Sequence, residues 1–186
     1  MIRLAITIVT VLAASALGAS RATAATSTSL FDDAVKLDIP AGFSALSKAE
    51  LDKKFAKAAR PPAAAFGDIT RDATIAFSLS DQKGNFTAGQ LPEYLAAMEQ
   101  ILPRVLPGIT WQKKELVTIK GRPWAHLRFT ASAAEGEMAN DTWFTAFRGN
   151  ILSVNLAASA AKWSTVESSL VAAFETIAVA DDAARK

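Results

Sequence analysis

The chain has 186 residues, with 20 Lys and Arg against 18 Asp and Glu, one histidine and no cysteine. The missing cysteine excludes disulfides, thiolate metal sites, cysteine nucleophiles and a lipid anchor on an N-terminal cysteine. The near balance of charge, with no basic cluster, argues against a nucleic-acid partner.

The chain opens with Met1-Ile-Arg3, an apolar run from Leu4 to Leu17, and Ala22-Thr23-Ala24. A short positive start, an apolar stretch and an A-x-A site are the parts of a secretory signal peptide, here residues 1–24, cleaved after Ala24. The run falls short of the about 20 apolar residues that a transmembrane helix needs. Cleavage removes Arg3 and Arg21 and leaves 18 charges of each sign. The expected product carries no integral membrane segment and lies in a periplasm or outside the cell. A chain of about 150 residues buries roughly two-thirds of its unfolded surface, so it needs no covalent staple.

Residues 25–33 read as a flexible N-terminal segment, because Ala25 to Ser29 are small and lack periodicity. A single domain is expected over 34–179. Val35, Leu37 and Ile39 alternate with Lys36 and Asp38, which predicts a strand over Ala34 to Ile39, ended by Pro40-Ala-Gly42. Ser47 and Glu50 have capping-box spacing, and Leu51, Phe55 and Ala58 recur at helical spacing up to Arg60-Pro61-Pro62. The interleaved charges of Lys48 to Arg60 are a solvated helix face. A short strand over Ala64 to Ile69, a turn at Thr70-Arg-Asp72 and a strand through Ile75, Phe77 and Leu79 follow. Asp81 to Gly89 is a polar loop. Leu91, Leu95, Met98 and Leu102 form a helical stripe with Pro92 in its first turn, and Pro103 is expected to end it.

The second half reads as an antiparallel meander. Strands are predicted over Trp111 to Ile119, Pro123 to Ala131, Thr142 to Phe147 and Ile151 to Ala157. Turns fall at Lys120-Gly121-Arg122 and Arg148-Gly149-Asn150, and Ala133 to Asn140 reads as a loop. Trp163, Val166, Leu170, Phe174 and Ile177 form the strongest helical stripe, and 180–186 is a charged tail. One-sided strands and amphipathic helices predict an α/β (α+β) fold, a sheet flanked by helices on both faces.

The phrase Leu-x-Ile-Pro-x-Gly-Phe (Leu37 to Phe43), the turn in Ile119-Lys-Gly-Arg-Pro-Trp124 and a final helix opened by Trp163 resemble Mog1/PsbP-like domains, including the DcrB-type bacterial exported ones. The resemblance spans most of Leu30 to Val179. It implies an antiparallel sheet in an α/β/α sandwich, and members that mostly act by binding other proteins. Its motifs are structural phrases and transfer no site residue.

His126 is the one histidine, and it shares a predicted strand face with Trp124 and Arg128. A hydrolytic triad needs a base bonded to a nucleophile and oriented by an acid. The sequence has no G-x-S-x-G phrase and sets no serine or acid beside His126. One histidine without cysteine is a poor zinc site. Glu135, Glu137, Asn140 and Asp141 do not match calcium-loop spacing and read as a solvated hairpin loop, and Asp32 and Asp33 as exposed chain. No glycine spacing suits a nucleotide, so no cofactor is expected. The candidate protein-binding patch is Trp124, His126, Arg128, Trp143 and Phe147, since aromatics and arginine are enriched at interfaces. The competing reading is that a helix covers this face and makes it core. The leading expectation is a non-catalytic module binding another exported or envelope protein, as chaperone, accessory subunit or inhibitor/immunity-type partner. The alternatives are a hydrolase with a dispersed site and a carrier of a small apolar ligand.

Overall fold

A computed structural model describes residues 25–56, 58, 60–80, 85–133 and 136–180. Residues 1–24, read from the sequence as a signal peptide, residues 181–186 of the expected tail, part of the Asp81–Gly89 loop and Glu135 lie outside the described residues. The elements in chain order are β1 (Thr26–Leu30), β2 (Val35–Ile39), β3 (Ser44–Ala45), α1 (Lys48–Lys54), β4 (Ala64–Gly67), β5 (Thr74–Leu79), α2 (Leu91–Val105), β6 (Thr110–Ile119), β7 (Arg122–Ala133), β8 (Gly136–Phe147), β9 (Asn150–Ser159), α3 (Ala160–Glu175) and β10 (Ala178–Val179). Seven strands form one antiparallel sheet in the order β3-β4-β5-β9-β8-β7-β6, and β1-β2-β10 form a second, smaller one.

The large sheet is filled on both faces, as the sandwich requires. Its period-2 alternation sends Ile75, Phe77, Trp124, Trp143, Leu152, Val154 and Leu156 to one side, where Leu170, Phe174 and Ile177 of the α3 region meet them. Val35, Leu37 and Ile39 of the small sheet close the same core. The opposite face sends Leu127, Phe129 and Phe144 against Leu91 and Leu95 of α2. A lesser cluster puts Ala65 and Ala76 under Leu46, with Leu51 and Phe55 of the α1 region packed against it.

The turns set the strand register. Lys120 and Gly121 have φ of 49° and 80°, and Arg148 and Gly149 have φ of 51° and 71°. Two consecutive left-handed residues make the tight hairpin turn whose twist matches that of the strands. These turns place Ile119 opposite Arg122 and Phe147 opposite Asn150. Gly108 also has positive φ, at 67°, and an added Cβ would lie 2.8 Å from the Ser132 hydroxyl. Gly108→Ala is therefore expected to destabilise the fold by about 1–2 kcal/mol, read as a lower urea midpoint at unchanged slope.

The capping box is formed. Glu50 N–H donates to Ser47 Oγ at 3.3 Å, and Ser47 N–H donates to Glu50 Oε2 at 2.7 Å. The Ser47 N–H, then its hydroxyl and Arg71, hold the Glu50 carboxyl down to about 2.

Several elements differ from the sequence reading. Residues 26–30 are not a flexible segment but a strand, because pairing with β2 uses backbone groups and needs no side-chain pattern. The α1 helix ends at Lys54, short of Ala58. The α2 helix runs past Pro103 to Val105. In the last turn the missing N–H costs one bond, while Leu102 and Leu106 still pack on the core. The expected Ala133–Asn140 loop is mostly strand, with Ala133 paired to Gly136. Among the described residues no helix is long and apolar enough to cross a membrane.

Candidate functional site

The hairpin registers stack two rows of polar and charged side chains on the α3 side of the sheet. Glu115 of β6 lies opposite His126 of β7, which lies opposite Trp143 of β8. One step along, Lys113 lies opposite Arg128, and Arg128 opposite Asp141. His126 and Asp141 are thus diagonal neighbours on one face, close enough to bond.

They form a continuous chain of hydrogen bonds and ion pairs. His126 Nδ1 lies 2.9 Å from Glu115 Oε1, and Nε2 lies 2.5 Å from Asp141 Oδ1. Arg128 Nε and Nη2 donate to Asp141 Oδ2 at 3.1 and 2.5 Å. Arg128 Nη1 donates to Glu167 Oε1 of α3 at 2.5 Å, and its guanidinium lies 5.7 Å from the Trp163 ring. Lys113 Nζ sits 3.5 Å from Glu115 at the outer end. His126 is 1 % exposed and Asp141 is 0 % exposed. The hydrogen bond to His126, helped by the Lys113 charge, outweighs burial and lowers the Glu115 carboxyl below its ordinary value. Burial disfavours the Arg128 charge, but the bonds to Asp141 and the nearby Glu167 together hold its pKa above the ordinary value.

An aromatic stack covers this chain. The His126 ring lies 3.6 Å from the Trp143 ring at 6°, and Trp143 lies 4.4 Å from Phe174 of α3 at 25°. Trp124 meets Phe174 edge-on at 5.3 Å. Trp143 Nε1 is buried with no hydrogen-bond partner among the described residues.

The structure brings together Trp124, His126, Arg128 and Trp143 of the candidate patch. Phe147 lies further along the same face, against Phe31 at 6.0 Å. The patch is not a surface, however. Trp124, His126, Trp143 and Phe147 are all buried, and Arg128 alone keeps an exposed edge. The α3 stripe has an apolar face to bury, and this row of aromatics is what it buries against. Asp141 is likewise not in a solvated loop. It belongs to β8, and its carboxylate is buried because Arg128 and the His126 ring on the adjacent strand bond to it.

Sequence reasoning missed Glu115, Asp141 and Glu167. The signal for Asp141 was present: the alternation Trp143, Thr145, Phe147 extended back by two positions lands on it. Glu115 and Asp141 lie on opposite sides of the imidazole, so the three do not converge on a point where a metal would sit. Beside Arg128 a cleft of about 260 Å³ opens between Lys113, Thr130 and Trp163. A broader one of about 530 Å³ lies at the β6–β7 turn against Ile177 and Val179.

No family model and no curated protein sequence matches the chain. Solved structures match its fold. CyanoP, the PsbP of the cyanobacterium Synechocystis sp. PCC 6803, superposes with a TM-score of 0.57 at 16% identity, covering 87% of this chain and 96% of that one. LpqN of Mycobacterium tuberculosis, described as involved in cell envelope biogenesis, gives 0.53 at 16% identity over 84% and 86%. PA94 of Pseudomonas aeruginosa, a protein of unknown function, gives 0.50 at 17% identity over 85% and 99%. The fold is therefore the Mog1/PsbP-like sandwich that the Leu37–Phe43 phrase suggested.

Proposed function

We propose that this chain is an exported, non-catalytic module of the cell envelope that binds another protein, in a chaperone, accessory or inhibitor/immunity-type role. One observation carries the reading: the reactive groups on the α3 face are used up on one another. Both ring nitrogens of His126 face carboxylates, so neither is open to a nucleophile's proton, and both carboxylates are occupied in turn. A general base needs hydrogen-bond reach to the proton it takes, and here α3 and Trp143 close that approach. An apolar carrier would need an enclosed apolar pocket between helix and sheet, and at the centre of that layer Trp143 stacks directly on Phe174. The similarity to LpqN supports an envelope setting, and the N-terminal pattern supports export.

The surface available to a partner lies elsewhere. Ile101 and Val105 are 47 % and 63 % exposed and one helical turn apart on α2. Ile69, 91 % exposed, stands on a β4–β5 turn held by Asp68 bonds to Thr70, Lys162 and the Ala73 N–H. Apolar side chains displayed on fixed backbone suit interface anchors, because little conformational entropy is lost on binding. The test is crosslinked capture of the mature protein from envelope extract, beside the Ile101→Asp/Val105→Asp double variant. The expected result is one dominant partner, recovered about tenfold less or lower with the variant, while the melting temperature holds. A wild-type protein recovered alone would overturn the reading.

A further inference from the structure

The ion-pair chain closes its charge only with one proton more than a neutral imidazole carries. Ionised carboxylates accept hydrogen bonds and cannot donate them, whereas a neutral histidine has one N–H and one bare lone pair. Yet both ring nitrogens of His126 lie within hydrogen-bond distance of a carboxylate oxygen, at 2.9 and 2.5 Å. Asp141 is held as an anion from its other side, where Arg128 gives its second oxygen two N–H groups. Glu115 keeps an exposed side and has Lys113 beside it. With both His126 nitrogens donating, the sequence Lys113, Glu115, His126, Asp141, Arg128, Glu167 alternates in sign from end to end and sums to zero. With a neutral ring, a lone pair would face a carboxylate oxygen inside the protein.

We propose that His126 is a proton-dependent latch for α3: it is seated as an imidazolium, and that proton holds the helix on the sheet. Every element packed around the ring contributes to the balance. β6 supplies Glu115 and Lys113, β7 supplies Arg128, β8 supplies Asp141 and Trp143, and α3 supplies Glu167 and Phe174. Burying an imidazolium is costly, and two carboxylates in contact with it offset that cost. The Trp143 face at 3.6 Å adds attraction to a cation. Trp143 passes the effect to α3 through its stack on Phe174, and Asp141 passes it through Arg128 to Glu167. Losing the proton weakens both links together.

The linkage has a definite sign. The folded chain offers the second ring proton two carboxylates, and the unfolded chain offers none. Protonation of the ring and the seating of α3 on the sheet therefore favour each other.

Because the chain has one histidine, the ring signals in a nitrogen-15 spectrum of the full mature protein need no assignment. At pH 7 both ring nitrogens are expected to show the protonated shift. As pH is raised to the point where one nitrogen loses that shift, amide protection in α3 should fall at least tenfold relative to the β4–β5 hairpin. The His126→Gln variant, if folded, should show a flat ratio over the same range. A bare nitrogen at pH 7 in the wild type would overturn the proposal. So would α3 protection that does not change when the ring deprotonates.

Discussion

Replacing Asp141 with alanine is expected to destabilise the protein by about 3–5 kcal/mol, a large share of the roughly 5–15 kcal/mol that holds a domain folded. The carboxylate is 0 % exposed and stands between His126 and Arg128. Its removal leaves the half-buried Arg128 and the buried His126 ring without the partner they share, and a buried group left unpaired is what makes such a change severe. Asp141→Asn keeps the shape and loses the charge, so it should fall between the wild type and the alanine variant. The coupling is open to measurement as well. Because His126 and Asp141 interact directly, removing both should cost less than the two single losses added together. Urea midpoints of the two single variants and the double variant give the comparison, and strict additivity would show that the pair is not coupled.

Trp143→Ala should cost about 3–5 kcal/mol for a different reason. Trp143 fills the space between the His126 ring and Phe174, so its deletion opens a cavity between sheet and helix and breaks the stack at its centre. Trp143→Phe tests that explanation. Phenylalanine keeps an aromatic face and removes an indole N–H that has no partner among the described residues. Removing an unsatisfied buried donor offsets part of the lost volume, and the cost should be under about 1.5 kcal/mol. Calorimetry distinguishes the two variants. A loss below about 1 kcal/mol for the alanine form would place Trp143 on the surface instead.

Much of the fold was legible in the chain because its signals are local. Alternation in Val35-Lys-Leu-Asp-Ile39 and Ile75 to Leu79 marked strands, since side chains on a strand point to opposite faces. The glycines at 121 and 149 marked hairpins, because each turn has residues at positive φ. The α3 stripe read correctly through Phe174, while Ile177 packs on the same core from beyond the helix end at Glu175. The failures also have physical causes. Thr26 to Leu30 has no apolar alternation to detect, and it is a strand only because β2 is there to receive its backbone hydrogen bonds. Pro103 is a helix breaker in isolation, and it is carried here by core contacts on either side.

The candidate site divides the same way. The sequence by itself determined that Trp124, His126 and Arg128 share one face and that Trp143, Thr145 and Phe147 share another, because that depends on residue spacing alone. It also determined which chemistries lack ligands, by composition. Only the tertiary structure decided that the two faces are one, that α3 covers it, and that Glu115, Asp141 and Glu167 neutralise it. These carboxylates lie 11, 15 and 39 residues from the His126 and Arg128 groups they bond. Strand register brings the first two into contact, and helix docking brings the third. A charge buried next to its counter-charge and a charge left in water have the same sequence, and their energies separate only when the chain closes around them.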